Sequence, residues 1–135
     1  MCRDVLSNTV LQEENLSLFS DNTFEEILMT VKGICDRVNG TGPLSMYDIT
    51  AAICRYNKIN ISKVYIIGGG PRRAIGLLNL KTKKQKIGNI SLKYVEIHDL
   101  QNAFLKINHE LTPELQNSNN GDEYESYICH WQKTV

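Results

Sequence analysis

A mainly helical fold is predicted: one compact domain of about five helices over residues 22–135, with a short extended or β element near 64–67 and 90–97. Two capping boxes, each followed by apolar residues at three- and four-residue steps, carry the helical reading. Runs rich in β-formers are confined to the two short stretches. At 135 residues, 41% hydrophobic and 22% charged, the chain has the size and balance of one globular domain. No apolar run nears the ~18 residues of a membrane span.

Residues 1–21 show only loose periodicity in Val5, Leu6, Val10, Leu11, Leu16, Leu18 and Phe19, and read as a weakly ordered N-terminal segment. Met1-Cys2-Arg3-Asp4 lacks the apolar core of a signal peptide, so the expected location is cytoplasmic. Thr23-x-x-Glu26 opens the first helix, with Phe24, Ile27, Leu28, Val31, Ile34, Cys35 and Val38 on one face and Gly40 as its stop. Gly33 inside it costs ~1 kcal/mol against alanine, which implies close packing against a neighbour. Ser45-x-x-Asp48 caps a second helix, with Met46, Ile49, Ala52, Ile53 and Tyr56 inward.

Val64 to Ile67 is a strand or the approach to a glycine turn; a run this short and apolar fits both. Pro71 suits the first position of a helix over 71–79. Lys81 to Lys86 reads as a solvated basic loop, and 89–97 as an extended segment. Asp99 is placed to cap a helix that turns Leu100, Ala103, Phe104 and Ile107 inward. Thr112-Pro113 opens a short capped turn, and a last helix over 122–132 carries Tyr124, Tyr127, Ile128 and Trp131 at helical spacing.

Net charge is zero, but its distribution is uneven. Lys63, Arg72, Arg73, Lys81, Lys83, Lys84, Lys86 and Lys93 fall in residues 63–95, which hold no acid, while both flanks are acidic. Such a pattern creates a local anion-attracting surface on a neutral protein. The cysteines at 2, 35, 54 and 129 form no C-x-x-C pair and have no histidine at zinc-ligand spacing. They read as thiols, and no metal site or cofactor is expected.

The sharpest chemistry is Gly68-Gly69-Gly70-Pro71-Arg72-Arg73. Free backbone N–H groups at a helix start, with two guanidiniums beside them, suit a phosphate. The turn lacks the lysine of a Walker loop, and Arg73 stands where a dinucleotide fingerprint needs its third glycine. A second glycine turn, Gly40-Thr41-Gly42-Pro43, lies between the first two helices.

Residues 23–57 resemble a helix-hairpin-helix DNA-binding motif on Val38, Gly40, Gly42 and Pro43. The resemblance implies that the backbone around Gly40 and Gly42 contacts phosphates without reading bases. Thr41 replaces the aliphatic residue that the family prefers, and no lysine or arginine follows the second glycine directly. The order Gly-x-Gly-Pro-Leu-x-x-Tyr-Asp at 40–48, Lys-Val-Tyr at 63–65, Gly-Gly-Pro-Arg-Arg-Ala at 69–74 and Tyr-Ile-Cys at 127–129 is similar to small uncharacterised bacterial proteins. That likeness implies a compact domain and no activity.

Catalytic residues are not expected. His98, His109 and His130 sit in no recognisable motif, and Asp48 and Asp99 read as caps. The expected function is a non-catalytic module for phosphate-bearing partners, foremost DNA without sequence reading. Its residues would be Gly40, Gly42, Gly68, Gly69, Gly70, Arg72, Arg73, Lys81, Lys83, Lys84 and Lys86. The alternative is a regulatory homodimer joined through Tyr124, Tyr127 and Trp131, with no nucleic acid.

Overall fold

The computed structural model describes residues 22–35, 42–88 and 90–135. The N-terminal segment 1–21, and Val38 and Gly40, where the first helix is expected to end, lie outside those residues. Two compact units divide the chain, Met1–Asn60 and Ile61–Val135. The described chain is mainly helical with one small antiparallel sheet. No helix of the described residues is long and apolar enough to cross a membrane.

In the first unit, α1 (Phe24–Cys35) packs against α2 (Pro43–Tyr56). The expected capping box is in place: Thr23 N–H donates to Glu26 Oε1 at 2.9 Å, and Glu26 N–H to Thr23 Oγ1 at 3.3 Å. Phe24, Ile27, Leu28, Val31 and Cys35 form the buried stripe. The rings of Phe24 and Tyr47 meet at 5.9 Å. Gly33 departs from expectation: it is exposed, and a Cβ there would meet nothing within 4 Å.

The second helix starts earlier than its pattern suggests. Gly42 is the N-cap in extended conformation and Pro43 follows inside the first turn, so Ser45 and Asp48 lie within the helix and Ser45 is not its N-cap. A proline preset to helical φ, with no N–H to satisfy, moves the start upstream of the serine. Tyr47 is buried at 2% exposure, whereas Tyr56, expected inward, is 47% exposed. Buried Thr50 is satisfied by donating to the Met46 carbonyl at 2.7 Å.

The second unit is built on a three-stranded antiparallel sheet in the order β1 (Lys63–Tyr65), β3 (Ile90–Glu96), β2 (Lys83–Ile87). The basic stretch expected as a loop is therefore largely strand. Gly88-Asn89 joins β2 to β3, and Gly88 has φ of 59°, the left-handed backbone that short hairpin turns require. Pairing with β3 overrides the low strand propensity of lysine.

Helix α3 (Gly69–Leu77) begins ahead of Pro71, which is its third residue, with Gly68 as N-cap. Helix α4 (Ile97–Lys106) follows β3 directly with Glu96 as N-cap, so Asp99 lies in its first turn and is not the cap. Thr112 caps the short α5 (Pro113–Gln116) as expected, accepting from Leu115 N–H at 3.3 Å. Helix α6 (Gly121–Trp131) is capped by Asn120 and leads into a 3₁₀ turn, Gln132–Thr134.

Side chains alternate across a sheet, so register assigns the faces. Val64 pairs with Val95, and both join Ile66, Ile75, Leu100, Phe104, Tyr124 and Ile128 in the helix-covered core. Asn120 ties α6 to the start of β1: its Oδ1 accepts from Ile61 N–H at 3.0 Å and Asp122 N–H at 3.2 Å. Gly121 N–H donates to Ile61 O at 2.6 Å. A Cβ at Gly121 would sit 1.8 Å from the Lys63 carbonyl oxygen, so only glycine fits there.

Candidate nucleic-acid interface

The β2–β3 hairpin gathers the central charge. Lys84 lies opposite Lys93, and Lys86 opposite Ser91, all on the face that carries Val64 and Val95 further along the sheet. Val95 is buried under helices, whereas Lys84, Lys86, Ser91 and Lys93 are exposed. The opposite face of the hairpin carries Ile87, Ile90 and Leu92, all buried. Towards its turn the hairpin is thus amphipathic, with lysines on one face and Ile87, Ile90 and Leu92 on the other.

The lysine face has an electrostatic cost. Like charges directly opposite in an antiparallel pair repel. Neither register partner is an acid, and no acid occurs between 63 and 95. Lysines two apart on a strand stand about 6.6 Å from each other, and a neighbouring strand adds a third about 4.8 Å away. Three ammonium groups on one face of a paired ribbon form a compact anion-attracting surface.

Lys83 and Lys81 are also exposed, but Lys83 projects from the other face, opposite Tyr94. Lys63 shares that face and is engaged there. Its Nζ donates to Gln85 Oε1 at 3.0 Å and lies 4.9 Å from the Tyr94 ring centroid. Gln85 Oε1 also accepts from the Tyr65 hydroxyl at 2.8 Å. This cluster links all three strands, and Tyr65 is only 1% exposed, which leaves its ring no surface for stacking.

The glycine turn and its arginines divide. Gly68 is extended, and Gly69 is exposed with open space around it. Gly70 faces α6: a Cβ there would lie 2.8 Å from Cys129 Sγ. Arg72 is exposed. Arg73, expected at the phosphate, instead donates through Nη1 to the carbonyl and side-chain oxygen of Gln132, and through Nη2 to the Val135 carbonyl at 3.5 Å. Its Nη1 donors, and one on Nη2, are engaged by the residues after α6.

Of the hairpin resemblance at 40–42, only Gly42 is described, as the exposed N-cap of α2. The aromatics of the last helix also divide. Tyr124 is fully buried, and its hydroxyl donates to the Leu115 carbonyl, so it offers no surface to a second copy. Tyr127 and Trp131 are half-buried and meet Phe104 edge to face at 5.8 and 5.0 Å. Tyr127 also pairs with His109 Nε2 at 2.5 Å, and burial raises its phenol pKa. Among the described residues, no group of three His, Cys, Asp or Glu is arranged to hold a metal ion.

The candidate residue that the expected binding set left out is Lys93. The signal was present in Ile90-x-Leu92-x-Tyr94, whose alternation puts Ser91 and Lys93 on the other face. Its partnership with Lys84 needed the register. Comparisons with protein-family models, with curated proteins and with solved structures find no match for this chain.

Proposed function

We propose that this protein binds phosphate-bearing polymers, foremost duplex DNA, through the lysine face of its β2–β3 hairpin and without reading sequence. The observation that carries the reading is the exposed array of Lys84, Lys86 and Lys93 on one sheet face, two of them directly paired. A polyanion relieves their mutual repulsion and releases its own counterions, which gives favourable binding that weakens with salt. Exposed Arg72 and Lys81 add to the positive surroundings. Lysine ammoniums act as point charges on phosphate and carry no base code, so affinity is insensitive to sequence.

The test is fluorescence anisotropy with two duplexes of unrelated sequence at low salt. Wild-type protein binds both with similar affinity, and Lys84→Ala/Lys86→Ala/Lys93→Ala binds both much more weakly. Arg73→Ala binds like wild type, because Arg73 already serves Gln132. Absence of binding by the wild type, or equal binding by the triple variant, ends the proposal.

A further inference from the structure

A cleft of about 460 Å³ opens beside the end of α4, lined by Gln101, Leu105, His109, Glu110, Leu111 and Gln116 among others. Its hydrogen bonds fix the orientation of the two glutamine amides. Gln101 Nε2 donates to the Tyr124 hydroxyl at 2.7 Å and to the Gln116 carbonyl at 3.2 Å. Gln116 Nε2 donates to the Leu111 carbonyl at 2.7 Å. A carbonyl oxygen only accepts, so neither amide can be reversed. The Tyr124 hydroxyl has carbonyl oxygens of Leu115 and Ser118 for its own proton and accepts from Gln101.

Both Gln101 Nε2 hydrogens and one of the two on Gln116 Nε2 are therefore committed within the protein, and each Oε1 is left as an acceptor. His109 Nε2 is likewise taken by Tyr127. The exposed Glu110 adds a carboxylate to the wall. The C-terminal end of α4 adds the negative end of a helix dipole. Against this acceptor-rich side stand Leu111 and Leu105, the latter 69% exposed. A complementary ligand donates hydrogen bonds, carries positive charge and has an apolar stem.

We propose that this cleft binds an alkylguanidinium, its head on the Glu110 carboxylate and the Gln101 and Gln116 side-chain oxygens, and its methylene stem against Leu105 and Leu111. The planar fork of a guanidinium matches a carboxylate with an adjacent amide oxygen better than a single ammonium does. The methylenes cover the leucines while the head stays on the polar wall. The site stands apart from the lysine hairpin and does not rest on the phosphate reading.

The test is NMR titration of the labelled full chain with agmatine and, separately, with acetyl-Gly-Arg-Gly-amide. Saturable shifts are expected at residues 108–111 and 116. Glu110→Gln, an exposed change, weakens binding by about three- to fivefold. Neutral butylurea leaves the cleft unshifted. Agmatine binding as well as the peptide marks a free ligand, and tighter peptide binding marks an arginine side chain; both support the site. The proposal is overturned if neither cation gives saturable shifts there, if butylurea matches them, or if Glu110→Gln binds unchanged.

Discussion

Three glycines have three different reasons to lack a side chain. Gly33 has open space, so Gly33→Ala raises helix propensity and nothing else. We expect chemical denaturation to show a gain of about 1 kcal/mol. Gly121 presses against the Lys63 carbonyl, so Gly121→Ala separates α6 from β1 and costs on the order of 3 kcal/mol or more. Gly70 is intermediate, because the obstacle is the Cys129 sulfur. Gly70→Ala destabilises, and adding Cys129→Ala makes room; the double variant loses less than the sum of the two singles. Simple additivity in that cycle contradicts the contact. All three look alike in sequence. Gly33 was expected to be tightly packed, and nothing local to 121 signals its contact with residue 63.

Elements announced by short-range chemistry were legible. The Thr23–Glu26 box and the Thr112-Pro113 start are local devices, and both sit where the sequence placed them. Starts inferred from a plausible polar residue were misplaced where a stronger constraint lay upstream: Pro43 for α2 and the end of β3 for α4. Strand β2 was unreadable for another reason. Lys83 to Lys86 has no apolar alternation, and its partner β3 confers its extended state. The lysines of the candidate site were thus visible as charge, while their arrangement on one face was not.

The contact of α6 with the chain after α4 has its own signature. Tyr127→Phe removes the hydrogen bond to His109 and costs about 1 kcal/mol at neutral pH. Burial raises the Tyr127 pKa in the folded protein, so its contribution is full below about pH 10 and lost as pH rises through the folded value. In that window the unfolded chain has released the proton and the folded chain retains it. Thermal melts should therefore show an alkaline fall in stability that is shallower in Tyr127→Phe; an equal fall in both would place the cause elsewhere.

Across the whole chain, zero net charge conceals a positive centre between acidic ends. The hairpin gives part of that charge a shape: Lys84, Lys86 and Lys93 on one face, with Ile87, Ile90 and Leu92 buried on the other. Arg73 and Lys63 belong to the same basic stretch, yet they hold Gln132 and Gln85. The proposed phosphate binding therefore rests on particular ammonium groups. Its most direct measurement is duplex-DNA affinity across a salt series for the wild type, Lys84→Ala/Lys86→Ala/Lys93→Ala, and Lys106→Ala/Lys133→Ala. Log affinity should fall linearly with log salt, with a slope shallower by about 2.7 in the hairpin variant and no comparable change in the control. Equal slopes for the wild type and the hairpin variant would contradict the proposed binding.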